Sequence, residues 1–215
     1  MVFALAGRAS ADITLVSDLS DPRSESYDTT FKAYVKLQAT ADGNSELTID
    51  LVNTTTSSSP GGYITGLAFS TPSGATFIAD SYKTTNSNFL LTSDSVATPP
   101  FSDQDLGAAL GGSWIGGGGP NKGIAWSSAG TNHVVFTFDF LGTSLTEDMF
   151  KTAFEGTSTD PGFLVRFKGL TNNGSNKVPG TLVPEPTSAI LLGLGLAGMA
   201  AFGLRRRRFP ASATA

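Results

Sequence analysis

The chain has 215 residues, a formal net charge of −4, one His and no Cys. Absence of Cys excludes disulfides, thiolate metal sites and a cysteine nucleophile. Between Asp12 and Val183 nine Lys/Arg stand against seventeen Asp/Glu, a net of −8. Such a segment repels phosphate backbones, so no nucleic-acid partner is expected.

Ala9-Ser10-Ala11, ahead of Asp12, has the small-x-small shape of a signal-peptidase site, with apolar Val2–Gly7 before it. Residues 1–11 are therefore expected to be the remnant of a signal peptide, a frayed terminus being the alternative. The following stretch, 12–180, is long enough to bury a core without staples and is expected to form one domain.

That domain reads as β. Asp12–Val16 is expected to be an early edge strand. Phe31–Leu37 and Leu47–Leu51 alternate apolar and polar residues around Ala41-Asp42-Gly43-Asn44, which predicts a hairpin. Thr54–Gly62 reads as a flexible loop. Tyr63–Phe69, Ala75–Ala79 and Phe89–Thr92 are shorter strand candidates. Ser102–Gly111 is expected to form a turn or two of helix, and Gly111–Ile124 a wide loop packing Trp114 and Trp126. Val134–Phe140 is the strongest strand, with three Phe on one face. Thr146–Gly156 predicts a short helix, with a Thr cap, early acids and a terminal Gly. Phe163–Phe167 is expected to be the last strand and 172–180 the exit into a linker. The fold class is all-β: a single antiparallel β-sandwich, Ig-like or jelly-roll-like.

Little of the domain points to chemistry. The Gly-rich run Gly111–Gly123 lacks the Gly-Lys-Ser/Thr of a phosphate loop. Trp114 and Trp126, with Tyr63 and Tyr82, are candidates for stacking on sugar rings, though aromatics in a Phe-rich sandwich more often pack inside. His133 has no second His for a zinc site, and no Gly-x-Ser-x-Gly elbow accompanies it. Asp103-Gln104-Asp105, Asp18/Asp21 and Asp42–Glu46 offer oxygen ligands for one structural Ca²⁺, but none completes a loop motif. No catalytic, cofactor-binding or metal residues are assigned, and the protein is not expected to be an enzyme.

The C-terminus is more specific. Val183-Pro184-Glu185-Pro186 precedes an apolar run, Ala189–Leu204, and then Arg205-Arg206-Arg207-Arg208. As a helix the run reaches roughly 24 Å, short of the ~30 Å hydrocarbon core. With residues 187–204 inserted and the arginines snorkelling, a thin span is expected. The arginines predict that the C-terminus stays in the cytoplasm and that all that precedes Pro184 lies outside. Gly193, Gly195, Gly198 and Gly203 weaken a permanent span. An ordinary membrane anchor would share this topology but keep the tail.

The order of Pro-Glu-Pro, short apolar helix and Arg cluster resembles the PEP-CTERM sorting signal of Gram-negative bacteria. The resemblance covers 181–215, with Phe209–Ala215 longer past the arginines than is usual. It implies transient residence in the inner membrane, processing by an exosortase near Pro184–Pro186, and delivery to the cell surface or exopolysaccharide matrix. Arg166-Phe167-Lys168-Gly169 and Lys177-Val178-Pro179-Gly180 are also similar to segments of such proteins, with no activity attached. The expected function is structural or adhesive. The alternatives are a carbohydrate-binding module for exopolysaccharide and, behind it, a secreted hydrolase.

Overall fold

The computed structural model describes residues 13–22, 29–56, 61–115, 119–126, 132–157, 160–170 and 174–184. Within them ten strands form one antiparallel sheet. They are β1 (Ile13–Ser17), β2 (Phe31–Ala39), β3 (Ser45–Asn53), β4 (Gly61–Phe69), β5 (Lys83–Thr84), β6 (Phe89–Val96), β7 (Gln104–Leu110), β8 (His133–Phe140), β9 (Phe163–Leu170) and β10 (Ser175–Leu182). Their spatial order is β5-β8-β3-β2-β1-β10-β9-β4-β7-β6.

Local chemistry explains the best-defined elements. In the β2–β3 hairpin Gly43 takes φ +82°, a backbone that Gly adopts without Cβ strain. Asp42 accepts hydrogen bonds from the Thr40 hydroxyl and from Asn44 Nδ2, which holds its carboxyl below the usual range. Phe31, Ala33 and Val35 then share a buried face with Leu47, Ile49 and Leu51. Strand β8 alternates in the same way, with Phe136, Phe138 and Phe140 fully buried. Helix α1 (Glu147–Glu155) starts where Thr146 Oγ1 accepts the Met149 N–H at 3.3 Å and stops at Gly156, φ +55°.

The sheet folds back so that its two halves face each other across a phenylalanine core. Phe69 of β4 meets Phe138 of β8 edge-on at 5.1 Å, and Phe89 of β6 meets Phe136 at 5.2 Å. Helix α1 adds to the core Phe150 against Phe140 and Phe154 against Phe163. Strand β10 joins the halves. Residues 175–179 pair with β9, and residues 180–182 pair with β1. Pro179 and Gly180 sit at the changeover, where a Cβ on Gly180 would come within 3.0 Å of the Phe163 ring.

The all-β, antiparallel expectation holds, with one α-helix, in a single continuous sheet that nearly closes on itself. Several local expectations need correction. Strand β1 is interior rather than an edge, paired to β2 and β10. Segment Ser102–Gly111 is strand β7, not helix. Between β4 and β6 its residues 106–110 are all buried, and pairing on both sides outweighs the helix preference of its alanines. Ala75–Ala79 contributes only a bridge, Phe77 to Phe140, before a 3₁₀ turn at Ala79–Ser81. Phe163–Phe167 is not the last strand, because β10 occupies most of the expected linker. The sheet therefore runs through Leu182, past the expected boundary at Gly180.

Among the described residues no helix is long and apolar enough to cross a membrane. The expected signal-peptide remnant 1–11 and the apolar run Ala189–Leu204 lie outside the described residues.

Candidate functional site

The sorting motif starts at the end of the central strand. Leu182 pairs with Leu15, and the N–H of the next residue, Val183, donates to the Thr14 carbonyl at 2.9 Å. Pro184 follows with no spacer. Glu185, Pro186 and Arg205–Arg208 lie outside the described residues.

None of the four aromatic candidates is an exposed residue. Trp114 is 4% exposed and packs with Ala68, Val96, Phe101 and Leu164, so little of its ring faces solvent. Trp126 is half-buried. Tyr82 donates its hydroxyl to the Phe89 carbonyl at 3.0 Å and leans on Phe138, and burial raises its pKa. Tyr63 is half-buried beside Lys168 in register. Tyr34 of β2, which sequence reasoning did not single out, is 44% exposed.

His133 has a partner after all. Its Nδ1 lies 2.9 Å from Asp50 Oδ1 across the β3–β8 pair. The two side chains are 48% and 37% exposed. A groove of about 470 Å³ beside them is lined by Thr85, Asn86, Ser87, Gly123, His133 and Val134. Thr85 Oγ1 accepts the Val135 N–H.

The acidic candidates are spread out. Asp105 accepts from the Thr71 N–H and hydroxyl, Asp103 from Ser95, and Asp18 from Ser20. Among the described residues no group of three His, Asp or Glu converges on a metal position.

Sequence reasoning missed a cationic cluster on the second half of the sheet, formed by Arg166, Lys168 and Lys177. Arg166 and Lys168 alternate on the outer face of β9, and Lys177 of β10 lies directly opposite Arg166. Burial pushes the Arg166 guanidinium down from its ordinary value. Lys168 is also lowered, by burial first and then by the charge of Arg166. The spacing of Arg166 and Lys168 was the available signal, but the pairing with Lys177 required β10.

The chain is thus an antiparallel β domain that leads directly into a C-terminal targeting segment. Residues 182–208 match the PEP-CTERM protein-sorting motif, so the chain carries that sorting signal. The motif marks an exported protein whose processing partner is a membrane-associated exosortase. Comparisons with curated proteins and with solved structures give no match.

Proposed function

We propose that the protein is a non-enzymatic structural or adhesive component of the cell surface or exopolysaccharide matrix. The observation that supports this is the sorting motif joined directly to a self-contained β domain. We read the two facing halves as the layers of a sandwich whose corner strand is β10. Insertion of residues 187–204 would be transient, with the N-terminal side out. Neutralising Arg205–Arg208 should expose a C-terminal tag that is otherwise protected from external protease. Mass spectrometry of the surface fraction should find a chain lacking Thr187–Ala215. An intact C-terminus there would mean a permanent anchor.

A second reading rests on the groove that joins His133, already bonded to Asp50, to a hydroxyl. Asp50 would orient the imidazole through Nδ1, leaving Nε2 to take a proton from Ser87. Hydrolysis of a nitrophenyl ester by the purified chain, lost in both Ser87→Ala and His133→Ala, would support it. Equal rates in all three proteins would end it.

A further inference from the structure

The two segments Arg166-Phe167-Lys168 and Lys177-Val178-Pro179 pair with each other. Arg166 stands opposite Lys177, and Lys168 opposite Ser175. Three of the nine cations between Asp12 and Val183 therefore share one face of a domain with net charge −8. Like charges directly opposite on a sheet are destabilising. Burial of one of them adds to that cost.

Arg166 is only 7% exposed, and its Nε is buried without a hydrogen-bond partner. Among the described residues no carboxylate pairs with it. On its other side the register partner is Gly66 of β4. The Trp114 ring stands over that glycine, where a Cβ would come 3.1 Å from Cε3. Trp114 Nε1 is likewise buried and unpartnered. Buried polar groups ordinarily find partners, and here both orphans are donors with no accepting capacity. A cation or a neutral donor would leave them unsatisfied. A planar guanidinium matches the oxygens of a carboxylate or sulfate.

We propose that this face binds an oxyanion, a carboxylate or sulfate group, held by Arg166 beside the Trp114 ring, with Lys168 and Lys177 supplying the field. Two sources share that chemistry: a free ion, and an acid group on a polysaccharide.

The full chain in detergent micelles would be titrated at constant ionic strength with sodium sulfate, glucuronate, a polyuronate and neutral glucose. Calorimetry and the indole N–H resonance of Trp114, assigned through Trp114→Phe, would report binding. Sulfate and glucuronate should bind and shift that resonance, and glucose should not. Arg166→Met should weaken binding by about tenfold or more. Lys151→Met, which removes the same charge from helix α1, should change it by less than about twofold. Should Arg166→Met not fold, Lys177→Met at the half-buried neighbour should weaken binding severalfold. Tighter binding of polyuronate than of sulfate assigns the site to polysaccharide, and the reverse order assigns it to a free ion. No heat and an unmoved Trp114 resonance with every anion would overturn the site. So would anion affinity undiminished in a folded Arg166→Met or, failing that, in Lys177→Met.

Discussion

The two halves of the sheet bury their strands differently. In the half built from β2, β3 and β8, residues alternate between core and surface along most of each strand. In the half built from β4, β7 and β9, buried residues follow one another: Leu106–Leu110 on β7 and Phe163–Phe167 on β9. The inner residues of both halves meet in the phenylalanine core. Among the described residues the second half alone carries a further cluster on its outer side, formed by Ala68, Val96, Phe101, Trp114 and Leu164. Phe101 and Trp114 come from the loops before and after β7. A strand shows period two when one of its faces meets water, and loses it when both are covered.

The largest test lies across β8. Phe138 is fully buried against Phe69, Phe77 and Tyr82, so Phe138→Ala should cost roughly 3–5 kcal/mol. Thr137→Ala, facing outward on the same strand, should stay within about 0.5 kcal/mol. Denaturant melts of the domain ending at Val183 would measure both. Equal losses would mean that the face assignment of β8 is wrong.

The contrast between outer faces is tested next. Leu164 lies on the outer side of β9 yet is fully buried. Leu164→Ala should cost about 2–5 kcal/mol, while Thr48→Ala, on the outer side of β3, should cost about 0.5 kcal/mol or less. A mild Leu164→Ala would dissolve the distinction between the halves.

Tight packing of the second half gives a third expectation. A Cβ on Gly107 would come within 2.4 Å of the Leu67 carbonyl oxygen. Gly107→Ala should therefore lower stability by about 1–3 kcal/mol through overpacking. A neutral result in a thermal melt would show that β4 and β7 can part without loss.

The smallest effects concern two carboxylates of the first half, and they have opposite signs. The Asp139 carboxyl is raised, by burial first and then by Glu46, and its Oδ1 is buried without a partner. The folded state therefore holds this proton more tightly than the unfolded state. The resulting stability is full below the ordinary carboxylate range and lost as pH rises through the raised value. Asp139→Asn should raise the melting midpoint at neutral pH and change it little in acid. Asp42 is lowered, so its contribution is present at neutral pH and lost as pH falls through the lowered value. Asp42→Asn should lower the neutral midpoint, with the difference closing in acid. Shifts of the same sign would refute one of the two assignments.

The same contrast explains what was legible. Phe31–Leu37, Leu47–Leu51 and Val134–Phe140 announce themselves because water touches one side of each. Helix α1 is legible because Thr146 and Gly156 punctuate it locally. Strand β7 is hidden by its buried small residues, and β10 by the Asn, Gly and Pro that suit a linker equally well. The pairs His133–Asp50 and Arg166–Lys177 join residues of different strands, so no local pattern reveals them. The sorting tail is legible throughout, since its three parts are contiguous.

Strand β10 also gives the chain an order of assembly. It is the last of the ten strands to be synthesised, yet its place is in the middle of the sheet. Until it emerges, β1 and β9 each keep an unpaired edge along the seam that divides the two halves. Such edges invite pairing with other chains. An exported chain must carry that open seam until residues 175–182 are in place. The sorting motif comes immediately behind them, so the seam is closed by the last residues before the sorting segment.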